Sequence, residues 1–426
     1  MKEERSEDIL YGEQTKRTLE NMSFSGVPLS NFPQYIRMAA CVKAACALAN
    51  QRAGLLSQER ALAIDKACRV LHTGAHLEQF PVDVYHGGGG IGINMNLNEV
   101  IAALAGEAVH PVNDVNLSQS TSDVCHTTLR LTVRQMLADL DEECERWEHH
   151  LLLFAEKFQK IPTIARTCWQ DGLKISAGAL FDGTAHALQR QRRTLAHLQD
   201  MLVQVNLGGT VVGTGTGAPA AYRSEILQAL QEITGVSVCW RESLLDAAQY
   251  PDDLAEVSSA VMRLAQILAK FSRDLRVLSS GPETGLGELH LPAVQAGSSF
   301  FPGKVNPVLP EMMIQCAFLV EGHDHTIQQA VGQGEIHINL WEEMMGFLLM
   351  DNMMMLTRAM EKMRIHCLDG ITLDEAVCRR YAASSIPQIV EAKETYGYVY
   401  LSQRIKEKGL AAVVEDLKQS ASEQGL

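Results

Sequence analysis

The sequence predicts a mainly α protein built around a bundle of long helices. Three apolar patterns carry that expectation. Leu254, Val257, Val261, Leu264, Leu268, Phe271, Leu275 and Leu278 recur at spacings of three and four, which places them on one stripe of a long helix. Leu129, Val133, Met136, Leu140, Cys144, Trp147, Leu151 and Phe154 do the same. Phe181, Leu188, Leu195 and Leu202 keep a heptad spacing, with Leu198 and Val205 filling in. Sustained stripes on consecutive long helices suit an elongated bundle in which each helix buries against more than one neighbour. The Met-rich stretch 344–363 reads as the core of a further helix, because Met packs adaptably.

At 426 residues the chain exceeds the size at which a single core stops growing, so it should divide into two or three units. Residues 1–117 mix short helices with strand-like pieces such as 80–85, residues 118–366 hold the long-helix bundle, and residues 367–426 read as a small helical appendage. Gly- and Ser-rich segments punctuate the bundle at 87–98, 113–123, 166–171, 207–217 and 296–306. Each is too polar to continue a bundle helix and should be a loop or a helix start. Polar loops on a rigid helical scaffold are the layout of a site assembled from several segments.

Composition removes several classes of function. A net charge of −14 argues against a nucleic-acid surface, which needs clustered Lys and Arg. Hydrophobic content of 46% with 21% charged residues is that of a folded globular protein. The 10 cysteines show no C-x-x-C pair and no zinc spacing, as expected of reduced thiols in a cytosol. Residues 1–5 are highly charged and lack the apolar core of a signal peptide, and no apolar run is long enough to span a membrane. A soluble cytoplasmic protein is the expectation.

Two motifs fail on context. The run 87–92 contains G-x-G-x-x-G, but a dinucleotide fold needs strands alternating with helices around it, and the chain passes instead into bundle helices. Residues 297–304 resemble a phosphate loop, yet the second glycine is one place late and Val305 stands where Ser or Thr should meet magnesium. The segment 296–307 is richer when read as it stands. Gly297 and Gly303 permit positive φ, while Pro302 and Pro307 stiffen the ends. Lys304 and Asn306, two apart, point the same way in an extended chain. A cation and an amide donor converging on one point suit a carboxylate, and suit better the doubly charged aci-carboxylate left when the adjacent carbon loses a proton. Ser298 and Ser299 add hydroxyls, and a serine acts as a base only if backbone N–H groups and a nearby cation stabilise its alkoxide. On spacing alone, an ordinary Gly-Ser loop accounts for the segment equally well.

The pattern G-S-S-x-x-P-x-K-x-N-P from Gly297 to Pro307 resembles the signature loop of the aspartase/fumarase superfamily, and the likeness runs over nearly the whole chain. It is closest to the aspartate ammonia-lyase branch. Tyr11-Gly12 with Thr15 and Arg17, Gln79 to Tyr85 followed by Asn94-Met95-Asn96, His110-Pro111 through Asp123, Arg166-Thr167 with Gln170-Asp171, and Gly208 to Gly215 resemble further motifs of that branch, in the same order.

The resemblance implies a three-part fold whose central bundle assembles into a tetrameric core of 20 helices, with each active site shared between three subunits. It implies β-elimination from a small carboxylic acid without metal or organic cofactor. Ser298 would take the proton beside a carboxylate, and Lys304 and Asn306 would hold that carboxylate. Ser120, Thr121, Ser122, Ser299 and Thr167 would contribute to substrate binding, Thr167 from a neighbouring subunit. Glu311 falls at the carboxylate that follows the loop in the family.

This sequence also departs from the pattern. Ile91 stands where the family carries a Thr that hydrogen-bonds a substrate carboxylate, with Gly89 and Gly92 beside it. Ser122 replaces Asn, Cys168-Trp169 replace a His-Leu or Gln-Leu pair, and Phe300-Phe301 replace an aliphatic residue and Met. The proton-abstraction side is intact, while the opposite subsite, with Ile91 and Cys168, has lost donors. The expectation is a carbon–nitrogen lyase whose preferred substrate is a 2-amino acid related to aspartate but not L-aspartate itself. A fumarase-like hydratase and a catalytically retired family member with a structural or binding role are the alternatives. His86 and His126 flank the site loops as candidates for a general acid or a substrate contact. For Trp169 and Trp341, core packing is the favoured reading over an aromatic wall, and Cys168 has no visible activating base.

Overall fold

The computed structural model describes residues Ile9–Glu423, so the charged run 1–5 lies outside the described residues. Helices dominate, and the expected long ones form: Thr121–Lys157, Ala179–Met201, Asp252–Leu278 and Glu342–His366, joined by a further long helix, Val308–Val331. Their stripes are the core. Leu129, Val133, Leu140, Trp147, Phe181, Leu188, Leu254, Leu264 and Phe271 are fully buried, and so are Met345, Met350, Met360 and Met363 in the Met-rich helix. No helix among the described residues is long and apolar enough to cross a membrane.

Contacts divide the chain into two compact units. The first comprises residues 1–141, 193–263 and 318–357, the second residues 142–192, 264–317 and 358–426. All five long helices contribute residues to both. In the first unit, the Ala-rich helix Pro33–Arg52 packs beside Gln58–His72 and Ala220–Thr234, where Val42, Ala45, Ala49, Tyr222, Ile226 and Leu230 form a tight apolar cluster. Small side chains allow such close helix approach. In the second, Trp147 sits edge-on to Phe271, which meets Phe181 in turn, and the Trp147 indole donates to the Met360 carbonyl. Four short helices from Glu375 onward complete this unit.

Strands are few. The 80–85 segment forms no strand: Asp83 makes a single antiparallel bridge to Pro28, and Leu29 and Ser30 donate to the Val82 and Phe80 carbonyls. Phe80, Val82 and Val84 are buried although the segment joins no sheet. The 166–171 segment, expected as a loop, is instead the tip of an antiparallel hairpin of strands β1 (Pro162–Thr167) and β2 (Gln170–Ser176), with Thr167 opposite Gln170. The two-residue hairpin turn of type I′ requires positive φ at both central residues, and Cys168 and Trp169 adopt it at 53° and 61°.

Phe271→Ala should empty the meeting point of three aromatic rings. A loss of about 3–5 kcal/mol, read as a lower denaturation midpoint with unchanged slope, is the expected outcome.

Candidate active site

In the first unit, the polar motifs converge on two helix starts. The chain enters the helix Ile91–Ala105 through Gly87, Gly88, Gly89 and Gly90, all at positive φ between 60° and 81°. At Gly90 a side chain is also excluded by space, since a Cβ would stand 2.9 Å from the Glu343 carboxyl oxygen. Ile91 opens the helix and is 45% exposed, so the position where the family carries a hydroxyl presents an apolar surface. One turn later the Asn94 amide donates to Thr121 Oγ1 at 3.0 Å and to Asn116 Oδ1 at 3.1 Å. Gly92 leaves room for His86, whose imidazole would lie 2.3 Å from a Cβ there; His86 Nε2 is buried without a partner, and burial lowers the pKa of the ring.

The second start is the turn Ser120-Thr121-Ser122-Asp123. Ser120 Oγ accepts from the Ser122 N–H and Asp123 Oδ1 accepts from the Ser120 N–H, the reciprocal arrangement of a capping box. Asp123 Oδ2 then takes the N–H groups of Gly208 and Thr210, each at 3.0 Å. Burial drives the Asp123 pKa up to about 6 despite these three donors. Ser122 Oγ is buried without a partner. Behind the turn lies Lys43, fully buried, with Nζ on Asn116 Oδ1 at 3.0 Å and Gln119 Oε1 at 2.9 Å; burial brings its pKa down to about 8.

Two turns beyond Asp123 on the helix Thr121–Lys157, Arg130 is buried with both Asp253 oxygens on its Nε and Nη2 and Glu342 on its Nη1. His126 lies 3.2 Å from Glu342 and 3.8 Å from Glu343. None of Lys43, Arg130, Asp253 or Glu342 was read as part of a site from sequence. The available signal was a lone charge inside an apolar helical run, as at Lys43 between Met38 and Ala49 and at Arg130 between Leu129 and Leu131.

In the second unit, the serine loop folds back on itself. Gly297 N–H donates to the Lys304 carbonyl and Asn306 Nδ2 donates to the Gly297 carbonyl, both at 2.8 Å. A Cβ on Gly297 would stand 2.7 Å from the Lys304 carbonyl oxygen and the Asn306 nitrogen, so only glycine fits this close approach. Ser298 Oγ accepts from the N–H groups of Phe300 and Phe301 at 3.0 and 2.9 Å. Lys304 Nζ lies 5.6 Å from the Phe301 ring centroid. Phe300 and Phe301 are exposed, unusual for a loop that only links two helices. Ser299 stands beside Ser298 on the same loop. Glu311 is in the first turn of the next helix, where it accepts from Arg276 at 3.3 Å.

Thr167 and Cys168 sit at the hairpin tip, and no hydrogen bond among the described residues ties them to the serine loop. Cys168 and the 72% exposed Trp169 instead border a cleft of about 580 Å³ with Arg166, Lys270, Arg273 and Asp274. The aromatic reading of Trp169 thereby gains over core packing.

A protein-family model described as lyase matches residues 1–322. An aspartate ammonia-lyase from Corynebacterium glutamicum is 38% identical over 391 residues, covering 88% of this chain and 74% of that one. This chain belongs to the aspartase/fumarase superfamily of lyases. Among solved structures, a fumarate lyase:delta crystallin protein from Brucella melitensis superposes on the lyase with a TM-score of 0.92 at 36% identity, covering 98% of this chain and 93% of that one. A class II fumarase from Schistosoma mansoni gives a TM-score of 0.93 at 26% identity, covering 98% and 95%.

Arg130→Ala in this lyase should strand two buried carboxylates. The expected cost is about 3–5 kcal/mol, visible as a large fall in melting temperature at neutral pH.

Proposed function

We propose that this lyase catalyses β-elimination of ammonia or an amine from a 2-amino carboxylic acid related to aspartate, giving an α,β-unsaturated acid. Ser298 is the base in this reading. The observation that carries it is the pair of backbone N–H groups, from Phe300 and Phe301, that Ser298 Oγ accepts. Two N–H donors stabilise an alkoxide over the alcohol and so bring a serine toward the basicity the step demands. Lys304, which makes no ion pair among the described residues, and Asn306 hold the carboxylate beside the acidic carbon and receive the charge of the aci-carboxylate. Charge develops there only after proton loss, so these contacts favour the intermediate over the substrate.

Ser120, Thr121, Ser122, Ser299, Cys168 and Glu311 contribute to substrate binding in this reading, with Thr167 supplied by a neighbouring subunit. The name of the relatives, aspartate ammonia-lyase, supports this reaction class. Ile91 in place of a hydroxyl deprives a second carboxylate of a charge-assisted hydrogen bond, and for that reason L-aspartate is not the preferred substrate. A homotetramer with shared sites, a cytoplasmic location and a three-segment division at residues 117 and 366 belong to the same reading.

An ultraviolet screen for new conjugated double bonds, over aspartate analogues and N-substituted and aromatic amino acids, tests the reaction. Ser298→Ala should abolish turnover and leave the oligomer intact; undiminished turnover refutes the Ser298 assignment. Activity on malate with none on any amino acid would favour a hydratase instead. Ile91→Thr should raise kcat/KM on L-aspartate by about 10- to 100-fold, the equivalent of one charge-assisted hydrogen bond of ~1.5–3 kcal/mol. Dedicated-aspartase efficiency in the unaltered protein would sink the substrate assignment.

A further inference from the structure

The first turn of the helix Glu342–His366 carries more buried acid than its one permanent cation can neutralise. Arg130 spends its guanidinium on Asp253 and Glu342. Glu343, the next residue, is 4% exposed, and both of its carboxyl oxygens are buried with no hydrogen-bond partner. His126 lies between the two acids, with Nδ1 facing Glu342 and Nε2 facing Glu343.

Against this carboxyl rests the glycine turn. A Cβ on Gly90 would lie 2.9 Å from Glu343 Oε1 and 3.0 Å from its Cδ and Cγ, and one on Gly89 would lie 3.0 Å from Leu340. Four successive glycines have no side chains with which to anchor themselves, so the position of this turn is set by what it rests on. The turn in turn places Ile91 and Asn94.

We propose that Glu343, linked through His126 to Glu342, is a positioning residue for the turn Gly87–Gly90, and that the turn is seated only while Glu343 holds a proton. The proposal builds on the lyase reading above. The groups that face Glu343 are Cys125, His126 and Arg130 on the helix Thr121–Lys157, Tyr35 on the helix Pro33–Arg52, and Glu342 beside it, with Asp253 beyond Arg130. None of them is a spare cation. Burial raises the Tyr35 hydroxyl and the Cys125 thiol, which therefore stay neutral, and burial with the nearby Arg130 lowers His126 to about 3.

Burial, then the charge of Glu342, pushes Glu343 up to about 8 from an ordinary 4.5. At neutral pH the proton is on Glu343. Because the folded value is the higher one, its contribution to stability is complete below about 4.5 and is lost as pH rises toward about 8. Above that pH a bare carboxylate beneath the turn regains hydration only if the turn lifts.

Two measurements test this. The unaltered lyase should lose kcat/KM about tenfold per pH unit above about pH 8, mainly through KM, and Glu343→Gln, neutral at every pH, should lack that alkaline limb. Independently of turnover, amide hydrogen exchange of residues 85–95, corrected for intrinsic rates, should show protection at pH 7 that is lost at pH 9 in the unaltered protein and retained in Glu343→Gln. The same exchange change in both proteins overturns the proposal. Should Glu343→Gln not fold by circular dichroism, His126→Asn serves instead: a shifted exchange midpoint supports the link through His126, and an unmoved one overturns it. An exchange switch without any lyase turnover would sink the functional reading and leave the positioning role standing.

Discussion

A carboxylate removed from water costs several kcal/mol unless its oxygens find donors, and Asp123 finds three. They come from Ser120 on its own turn and from Gly208 and Thr210 across a long sequence separation. Through that one side chain the helix Thr121–Lys157 is capped and the 207–217 loop is held to its start. The Asn94–Thr121 bond then brings in the helix Ile91–Ala105, and Asn116 gathers Lys43, Asn94 and Asn98 on a single carbonyl oxygen. Without the Asp123 contacts the donors of Gly208, Thr210 and Ser120 would all need other partners. The order of the polar segments in the first unit follows from this constraint.

The same constraint explains why so many charges lie inside a bundle whose helices could have been filled with Leu. A buried ion pair contributes little net stability compared with apolar side chains of equal volume, whereas breaking one is expensive. Arg130 with Asp253 and Glu342 therefore acts less as a source of stability than as a restraint on which helix faces which. An apolar core tolerates sliding by one turn. A guanidinium fork shared by two carboxylates from different helices does not, because its donors have fixed directions.

Much of this was legible in the residues. The apolar stripes and the Met-rich run located four of the long helices, since a spacing of three and four has few other meanings over twenty or more residues, whereas Pro33–Arg52 and Val308–Val331 carried no stripe that was read. The serine loop was legible because glycine, proline, serine and lysine in that order carry both a backbone and a chemical message. What escaped reading had no local signature. The hairpin at 162–176 holds Gly172 and two residues, Cys168 and Trp169, with low preference for a tight turn, and its pairing is fixed by neighbours such as Glu288, which binds Arg166 and Thr163. The strand-like look of 80–85 came from residues that are buried without joining a sheet. Glu343 and His126 are distant in sequence, and only the fold reveals that each removes the other from the solvent-exposed class.

The excess of negative charge on the chain poses a problem for any anionic substrate, and the geometry suggests how short range settles it. At physiological ionic strength a surface charge is screened within about 8 Å, so the net −14 is weakly felt inside a recess. What counts is the sign of the nearest buried groups. Lys43 is a cation with no carboxylate bonded to it, held by the amide oxygens of Asn116 and of Gln119, the residue before the Ser120–Thr121 turn. The uncapped start of the helix at Ile91 adds the positive end of a dipole. In the second unit, Lys304 supplies a cation on the serine loop. In the first unit, Lys43 and the helix start at Ile91 thus offset part of the acidity beside the buried Asp123 carboxyl. Of the other buried acids in this unit, Asp253 and Glu342 are bound by Arg130, and Glu343 adds no charge while it keeps its proton.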